Sequence, residues 1–293
     1  ALFAVSFGGD KYAWDSPIII GLFLFSLLNI GLFVRAEFQA EDPVLPPALF
    51  RHRIFAGAMA SSLTVTISFV VTTVFVPLLV IGAKGESATT SAFPLMAEAL
   101  GIAIGANFAG QILSRFGYAR ELAITGLTLT AAILWSIGII GIDISLNQLA
   151  IMSLAMGIGI ALAFTSFTVQ VQNSMPENVL GVVTTSMQFA RTFSMATSSA
   201  ILGAILLAGI GFINTDDPIP QDVIKNPEII VAEKRLADVR LDYLDDPNLG
   251  ELAFEQDLSE ARKKIGHAPS TVFQVAAIGS AVGVLLAVYT FSD

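Results

Sequence analysis

Cysteine is absent from the 293 residues, and charged side chains account for only 13% of them. Without cysteine the chain has no disulfides, no thiolate chemistry and no cysteine-based metal site. Soluble domains carry about 25% charged residues, so the low charge excludes an ordinary water-soluble fold for most of the chain. The net charge is −9 and no long basic stripe occurs, which leaves nucleic-acid binding without an electrostatic basis.

Histidine is nearly absent as well, because only His52 and His267 occur. The topology predicted below places these two residues at opposite faces of a membrane, and neither an HExxH nor a GxSxG pattern is present. An enzyme embedded in a membrane needs a metal set or a nucleophile with its base. We therefore expect no enzyme activity, no metal and no cofactor.

Long apolar segments are what the sequence has in abundance. Hydrophobic residues make up 54% of the chain, and its mean hydropathy is +0.75. A helix needs about 17 to 25 predominantly apolar residues to cross the hydrocarbon core of a bilayer. Seven segments reach this length: 18–34, 54–81, 92–113, 121–140, 149–172, 182–210 and 269–291. The sequence therefore predicts an all-α integral membrane protein surrounded by lipid.

Two segments lie outside this pattern of spans. Residues 1–7 have neither an initiator methionine nor a signal-peptide pattern, so we expect the end of a preceding span and a fragment or processed form of a longer protein. The segment 213–267 contains 13 acidic and 7 basic residues. Its stretches EIIVAEKRLADVRLDYL and LGELAFEQDLSEARKKI have helical periodicity, which predicts two amphipathic helices packed over the membrane mouth.

The arginines predict the orientation of the spans. If every span crosses the membrane, alternate connectors lie on the same side of it. Five arginines fall in two connectors that share one side: Arg35, Arg51, Arg53, Arg115 and Arg120. In the short connectors on the other side, the only Lys or Arg residues are Lys11 and Lys84. Because short cytoplasmic loops carry an excess of positive charge, the arginine connectors are predicted to be cytoplasmic and the loop 213–267 extracytoplasmic.

Small and hydroxyl side chains recur at helical spacing in two spans. Ser61, Thr64, Ser68 and Thr72 share one face of the span 54–81. That face either lines a watery cavity or has hydroxyls that bond their own backbone carbonyls one turn back, and the sequence leaves both open. In the next span Gly101, Gly105 and Ala109 recur every fourth residue, which lets two helix backbones approach closely.

Two ionisable residues lie clearly within predicted spans, Glu98 and Arg191. An arginine at the centre of a membrane helix costs about 2.5 to 3.5 kcal/mol on insertion scales, so a specific reason for its presence is expected. We expect Arg191 to hydrogen-bond to Thr165 or Ser166, or to a group outside this chain. Glu98 lies about 8 Å from the outer end of its predicted helix, where it either carries a proton or reaches the interface.

Five stretches, in order, resemble one known family: GGDKYAWDSPIII, EDPVLPPALFRHRIF, GQILSRFGYAR, VQVQNSMPENVLG and QFAR. The set resembles the fourteen-helix drug:proton antiporter branch of the major facilitator superfamily. The resemblance implies that 49–293 is the C-terminal six-helix transporter domain and that 213–267 is a long external loop within it. Residues 1–48 would hold the end of one span, an external turn, one extra central transmembrane helix and a cytoplasmic connector.

The resemblance implies a role for the turn between the second and third helices of this domain. Gly110, Arg115, Gly117 and Arg120 match the family's cytoplasmic gating loop, whereas Ser114 stands where the family has an aspartate. The missing carboxylate puts a charge-relay role in doubt. The alternative is that the two arginines simply anchor a cytoplasmic turn.

The resemblance also implies a central cavity lined by the first and fourth helices of the domain. The residues of this chain that match are Ser61, Ser62, Thr64, Ser68, Thr72, Ser153, Met156, Thr165, Ser166 and Gln170. Methionine and aromatic side chains such as Phe164 and Phe167 adapt to varied ligands. The implied partners are small amphipathic substrates, protons and the missing N-terminal half of the transporter, and the implied location is the cell membrane.

The resemblance also implies that Glu98 and Arg191 do not form a direct ion pair, because the family places their helices on opposite sides of the cavity. Two other functions stay open. One is a major facilitator carrier for a metabolite, a siderophore or a lipid precursor. The other is a non-transporting membrane sensor or scaffold in which the acidic loop binds the ligand.

The absence of native cysteine makes the orientation testable. In single-cysteine variants Ser114→Cys and Glu233→Cys, we expect a membrane-impermeant thiol reagent added outside cells to label Glu233→Cys and to leave Ser114→Cys unlabelled until the membrane is permeabilised. Labelling of the Ser114 turn alone would invert the predicted topology.

Overall fold

The apolar segments each fold into a long α-helix. The computed structural model describes residues 16–40, 46–211 and 251–291. Within these ranges the helices are α1 Pro17–Gln39, α2 Arg53–Leu78, α3 Ala88–Phe116, α4 Ala119–Ile140, α5 Leu146–Ser174, α6 Leu180–Gly211 and α7 Glu251–Thr290. The prediction of an all-α membrane fold is confirmed.

Serine caps and a glycine set several helix ends. The hydroxyls of Ser16, Ser87 and Ser145 accept hydrogen bonds from backbone N–H groups of the first turns of α1, α3 and α5. At the end of α3, Gly117 adopts φ 69°, and its N–H bonds the Leu113 carbonyl. A left-handed residue at this position is a common helix stop, because glycine adopts it without steric cost. Two residues therefore suffice to turn the chain from α3 into α4.

Six helical stretches in the described part of the chain are long and apolar enough to cross a membrane: 17–39, 53–82, 88–116, 119–143, 146–174 and 270–290. They coincide with six of the seven predicted spans. The seventh predicted span, 182–210, corresponds to the 32-residue helix α6.

The helices α2 to α7 form one bundle, and α5 packs on both α3 and α4 while α7 packs on α4 and α2. The start of α2 is joined to the end of α7 by Arg53, whose guanidinium donates to the Tyr289 carbonyl and lies 4.4 Å from the centre of the Tyr289 ring. By contrast, most side chains of α1 are exposed, and its Phe33 ring stacks on Phe189 of α6 at 6.3 Å. The helix α1 thus lies beside the bundle.

Glycines bring α3 and α5 into backbone contact. A Cβ atom added to Gly101 would meet the backbone of Leu154, and one added to Gly105 would lie 2.7 Å from the Ile158 carbonyl oxygen. From the other side, a Cβ on Gly157 would lie 2.9 Å from the backbone nitrogen of Ile102. These distances leave no room for a side chain. The predicted close approach through Gly101 and Gly105 is confirmed, and α5 is the partner helix.

One part of the prediction for the acidic segment is wrong. The stretch after Gly250 does not form a separate helix, because α7 runs without a break from Glu251 to Thr290. Its first part therefore extends the last span beyond the apolar stretch 270–290. The other predicted amphipathic helix, within 212–250, and the predicted turn and span end within 1–15 lie outside the described residues.

The substitution Gly101→Ala should lower the stability of the detergent-solubilised protein by about 1 to 3 kcal/mol, because the added methyl group meets rigid backbone. The matched control is Gly110→Ala in the same helix, where a Cβ has nothing within 4 Å. Thermal unfolding measures both variants. Equal melting temperatures for the two would mean that the α3–α5 contact tolerates expansion.

Candidate functional site

A cavity of about 320 Å³ lies between four helices of the bundle. Two residues of α2, two of α3, four of α5 and two of α6 line it: Thr66, Phe69, Ile102, Ala106, Ile160, Ala161, Phe164, Thr165, Arg191 and Met195. The wall is mostly apolar and contains two aromatic rings, one thioether, two hydroxyls and one cation. A mostly apolar cleft with few polar groups is typical of a site for small organic molecules.

Among the residues that line this cavity, Arg191 is the one with a positive charge. It lies about 16 Å along α6 from Leu180 at 1.5 Å per residue, and its guanidinium carbon lies 4.1 Å from the centre of the Phe164 ring on α5. A cation–π contact of a half-buried guanidinium contributes about 1 kcal/mol. The buried Nε atom of Arg191 has no hydrogen-bond partner among the described residues.

The surroundings of Arg191 differ from those expected from the sequence. The Ser166 hydroxyl donates to the Leu162 carbonyl at 2.7 Å, and Thr165 lines the cavity together with Arg191. In the described structure the guanidinium contacts the Phe164 ring. It makes no hydrogen bond to Thr165 or Ser166. The aromatic ring takes the place of the expected hydroxyls because Phe164 and Arg191 face each other across the same cavity.

The predicted hydroxyl face of α2 points away from the cavity. Ser61, Ser62, Thr64, Ser68 and Thr72 are all buried, and four of them donate to a backbone carbonyl three or four residues earlier. Of the two alternatives left open by the sequence, the bonding to the helix's own backbone is the one observed.

This α2 face instead packs on α7. The hydroxyls of Ser68 and Ser280 lie 2.6 Å apart, and a Cβ atom on Gly283 would meet the side chain of Thr64. The residues of α2 that reach the cavity are Thr66 and Phe69, on a neighbouring face of the helix.

The predicted residues of α5 separate into three groups. Ser153, Met156 and Ser166 are fully buried in helix contacts. Thr165 lines the 320 Å³ cavity. Gln170 lies elsewhere, in a second cavity of about 370 Å³ at the end of the bundle that carries Arg53. Of the ten residues expected to line a central cavity, Thr165 is therefore the one that the structure places in the 320 Å³ cavity.

Glu98 lies inside the bundle, beside this cavity and not in its wall. Only 3% of its surface is exposed, and its Oε1 atom has no hydrogen-bond partner among the described residues. The helix α3 begins at Ala88, earlier than predicted. Glu98 is therefore about 15 Å from the helix start, not 8 Å, and its side chain is enclosed by the bundle.

The turn between α3 and α4 is short. Gly110 and Arg115 belong to α3, Arg120 belongs to the first turn of α4, and only Gly117 and Tyr118 lie between the helices. The Ser114 hydroxyl donates to the Gln111 carbonyl within α3. The rings of Phe116 and Tyr118 stack at 5.8 Å.

Comparison with known proteins bears on the role of this bundle. The family model described as Major Facilitator Superfamily matches residues 1–199. The chain belongs to the major facilitator superfamily. It is thus a multi-pass membrane protein of a transporter family, and not a member of an enzyme family.

Three relatives within the superfamily carry names that refer to drugs. The multidrug transporter protein MdtP of Bacillus subtilis is 32% identical, over 75% of this chain and 40% of its own length. Multidrug resistance protein 3 of the same organism is 27% identical, over 70% of this chain and 40% of its own. The tetracycline resistance determinant of Streptomyces rimosus is 26% identical, over 71% and 60%. This chain thus matches about half the length of these relatives.

The substitution Arg191→Ala should reduce the yield of folded protein, or the transport by the full-length protein, far more than Arg120→Ala. Arg191 is held over a ring inside the bundle, whereas Arg120 lies at a helix start near the surface. The measurements are size-exclusion profiles and drug resistance of cells expressing each variant. Equal losses would show that Arg191 has no special role.

Proposed function

We propose that this chain is the C-terminal part of a drug exporter that expels lipophilic, drug-like compounds in exchange for protons. The 320 Å³ cavity carries the proposal. Its phenylalanine, methionine and isoleucine side chains accept apolar molecules of varied shape, and its few polar groups impose little selection. The similarity to relatives named for multidrug and tetracycline resistance supports the same substrate class.

The proposed mechanism is alternating access by two six-helix halves that rock about a midplane site. The described bundle α2 to α7 supplies one half, and its cavity is the contribution of that half to the substrate path. Residues outside this chain supply the other half. The arginine-bearing ends of the helices face the cytoplasm of the cell in this proposal, because positive loops are retained inside.

Within the cavity, Arg191 and Phe164 form the polar contact point for substrate. The guanidinium covers one face of the ring and leaves Nε without a partner. A substrate carbonyl, hydroxyl or carboxylate can accept from this group, while the rest of the molecule packs against Phe69 and Met195. Buried donors that lack a partner gain most from a ligand acceptor, so substrates with at least one such oxygen are favoured.

The direct test uses the full-length transporter in proteoliposomes with an imposed pH gradient. We expect a fluorescent lipophilic substrate to accumulate in response to the gradient and to stop when a protonophore removes it. Accumulation that is indifferent to the gradient would exclude proton antiport. Absence of any drug transport, with a metabolite moved instead, would exclude the substrate class.

A matched pair of substitutions on α3 tests the cavity itself. Ala106→Phe puts a ring into the cavity and should weaken substrate binding and transport, whereas Ala103→Phe, one turn earlier and outside the cavity wall, should leave both unchanged. Binding is measured by substrate fluorescence in detergent and transport in proteoliposomes. If both variants transport normally, the substrate path does not run through this cavity.

A further inference from the structure

We propose that the second cavity, of about 370 Å³ at the end of the bundle that carries Arg53, binds the headgroup of an anionic phospholipid. We call it the terminal cavity. The chemistry that it recognises is a phosphate group, and the membrane lipid is the source of that phosphate. This site is separate from the 320 Å³ cavity, and its occupation depends neither on the cargo nor on the coupling of transport.

Three helices end together around the terminal cavity. Arg53 begins α2, Ser174 ends α5 and Thr290 ends α7. Five polar and three apolar residues form the wall: His52, Arg53, Gln170, Ser174, Thr290, Ile54, Met175 and Phe291. The volume lies in the range of about 300 to 1,000 Å³ that is usual for sites of small ligands. The wall therefore suits a compact ligand that has both polar and apolar parts.

The donors in this wall favour an anion. Arg53 carries a permanent positive charge, and a guanidinium matches the oxygens of a phosphate with two parallel hydrogen bonds. The His52 ring and the Gln170 amide supply further N–H groups. Among the described residues no side chain caps the start of α2, whereas α1, α3 and α5 have serine caps. The first N–H groups of such a helix attract an anion, because they have no partner within the helix.

Several acceptors in and beside the wall are bonded within the chain itself. The hydroxyls of Ser174 and Thr290 each donate to a carbonyl three or four residues earlier in their own helix. The Tyr289 carbonyl near the end of α7 accepts from Arg53. These bonds offset the negative ends of α5 and α7, which would otherwise repel an anion. The two hydroxyl oxygens can still accept, so a phosphate with hydroxyl groups attached, as in phosphatidylglycerol, fits the wall better than bare phosphate does.

Exposed rings beside the terminal cavity favour a lipid as the source of the phosphate. Tyr289 precedes the lining residue Thr290, is 66% exposed, and lies with its ring against the guanidinium of Arg53. Phe50, two residues before His52, is 46% exposed. Tyrosine is enriched at the level of the lipid headgroups in membrane proteins. Acyl chains can pack on these rings while the phosphate reaches Arg53, and free phosphate has no such contact.

Lipid binding to the full-length transporter in detergent tests the site without any need for transport. We expect dioleoylphosphatidylglycerol to raise the melting temperature, because it joins three helix ends, and dioleoylphosphatidylcholine, which has no net charge, to raise it much less. In native mass spectrometry Arg53→Gln should weaken phosphatidylglycerol binding about tenfold or more, the loss expected for one charge-assisted hydrogen bond. The matched control is Arg51→Gln, outside the cavity wall, which should bind as the wild type does.

A second pair of variants fills the cavity, in case Arg53→Gln does not fold. Ser174→Phe puts a ring into the terminal cavity and should abolish the effect of phosphatidylglycerol, whereas Asn173→Phe, at an exposed position outside the wall, should keep it. Equal losses in Arg51→Gln and Arg53→Gln, or equal binding by Ser174→Phe and Asn173→Phe, would overturn the site. Equal stabilisation by phosphatidylcholine would overturn the recognition of charge. Equal stabilisation by sodium phosphate alone would make free phosphate the ligand and overturn the lipid.

Discussion

The backbone contact between α3 and α5 is the constraint on which the rest of the structure depends. Gly101, Gly105 and Gly157 allow the two helices to approach until main-chain atoms touch, so neither helix can rotate without a collision. This fixes which residues of α3 face the interior and which face the cavity. The stripe that contains Glu98 packs inward, and Ile102 is left on the cavity wall.

The helices themselves could be predicted from the sequence, because length and hydropathy decide which segments cross a membrane. The boundaries shifted by only a few residues, mainly because the serine caps at Ser87 and Ser145 lie outside the apolar stretches. One boundary was misleading. The composition changes from polar to apolar near Pro269, and the predicted start of the last span followed this change. The helix α7 already begins at Glu251, and only its later part is apolar.

The rotation of each helix could not be predicted in the same way. In a membrane a serine or threonine hydroxyl can bond its own helix, so a polar stripe does not show which face is wet. In the structure Ser68 of this stripe lies against Ser280 of α7. The cavity is reached instead by Thr66, on a neighbouring face of the helix. Two sequence signals do fall in the cavity wall: Thr165, which was expected to line a cavity, and Arg191, since a cation within a span is tolerated only at an unusual site. The residues facing it across the cavity, above all Phe164, depend on contacts between helices that are distant in sequence.

The two charges within the bundle therefore have different physical settings. Arg191 lies over the Phe164 ring at the cavity wall, whereas Glu98 is enclosed in the bundle among uncharged neighbours. The segment of α3 from Glu98 to Ala106 belongs to both settings. This segment is one continuous stretch of helix, and glycine contacts hold it against α5, so the cavity wall and the buried acid have a fixed spacing along α3.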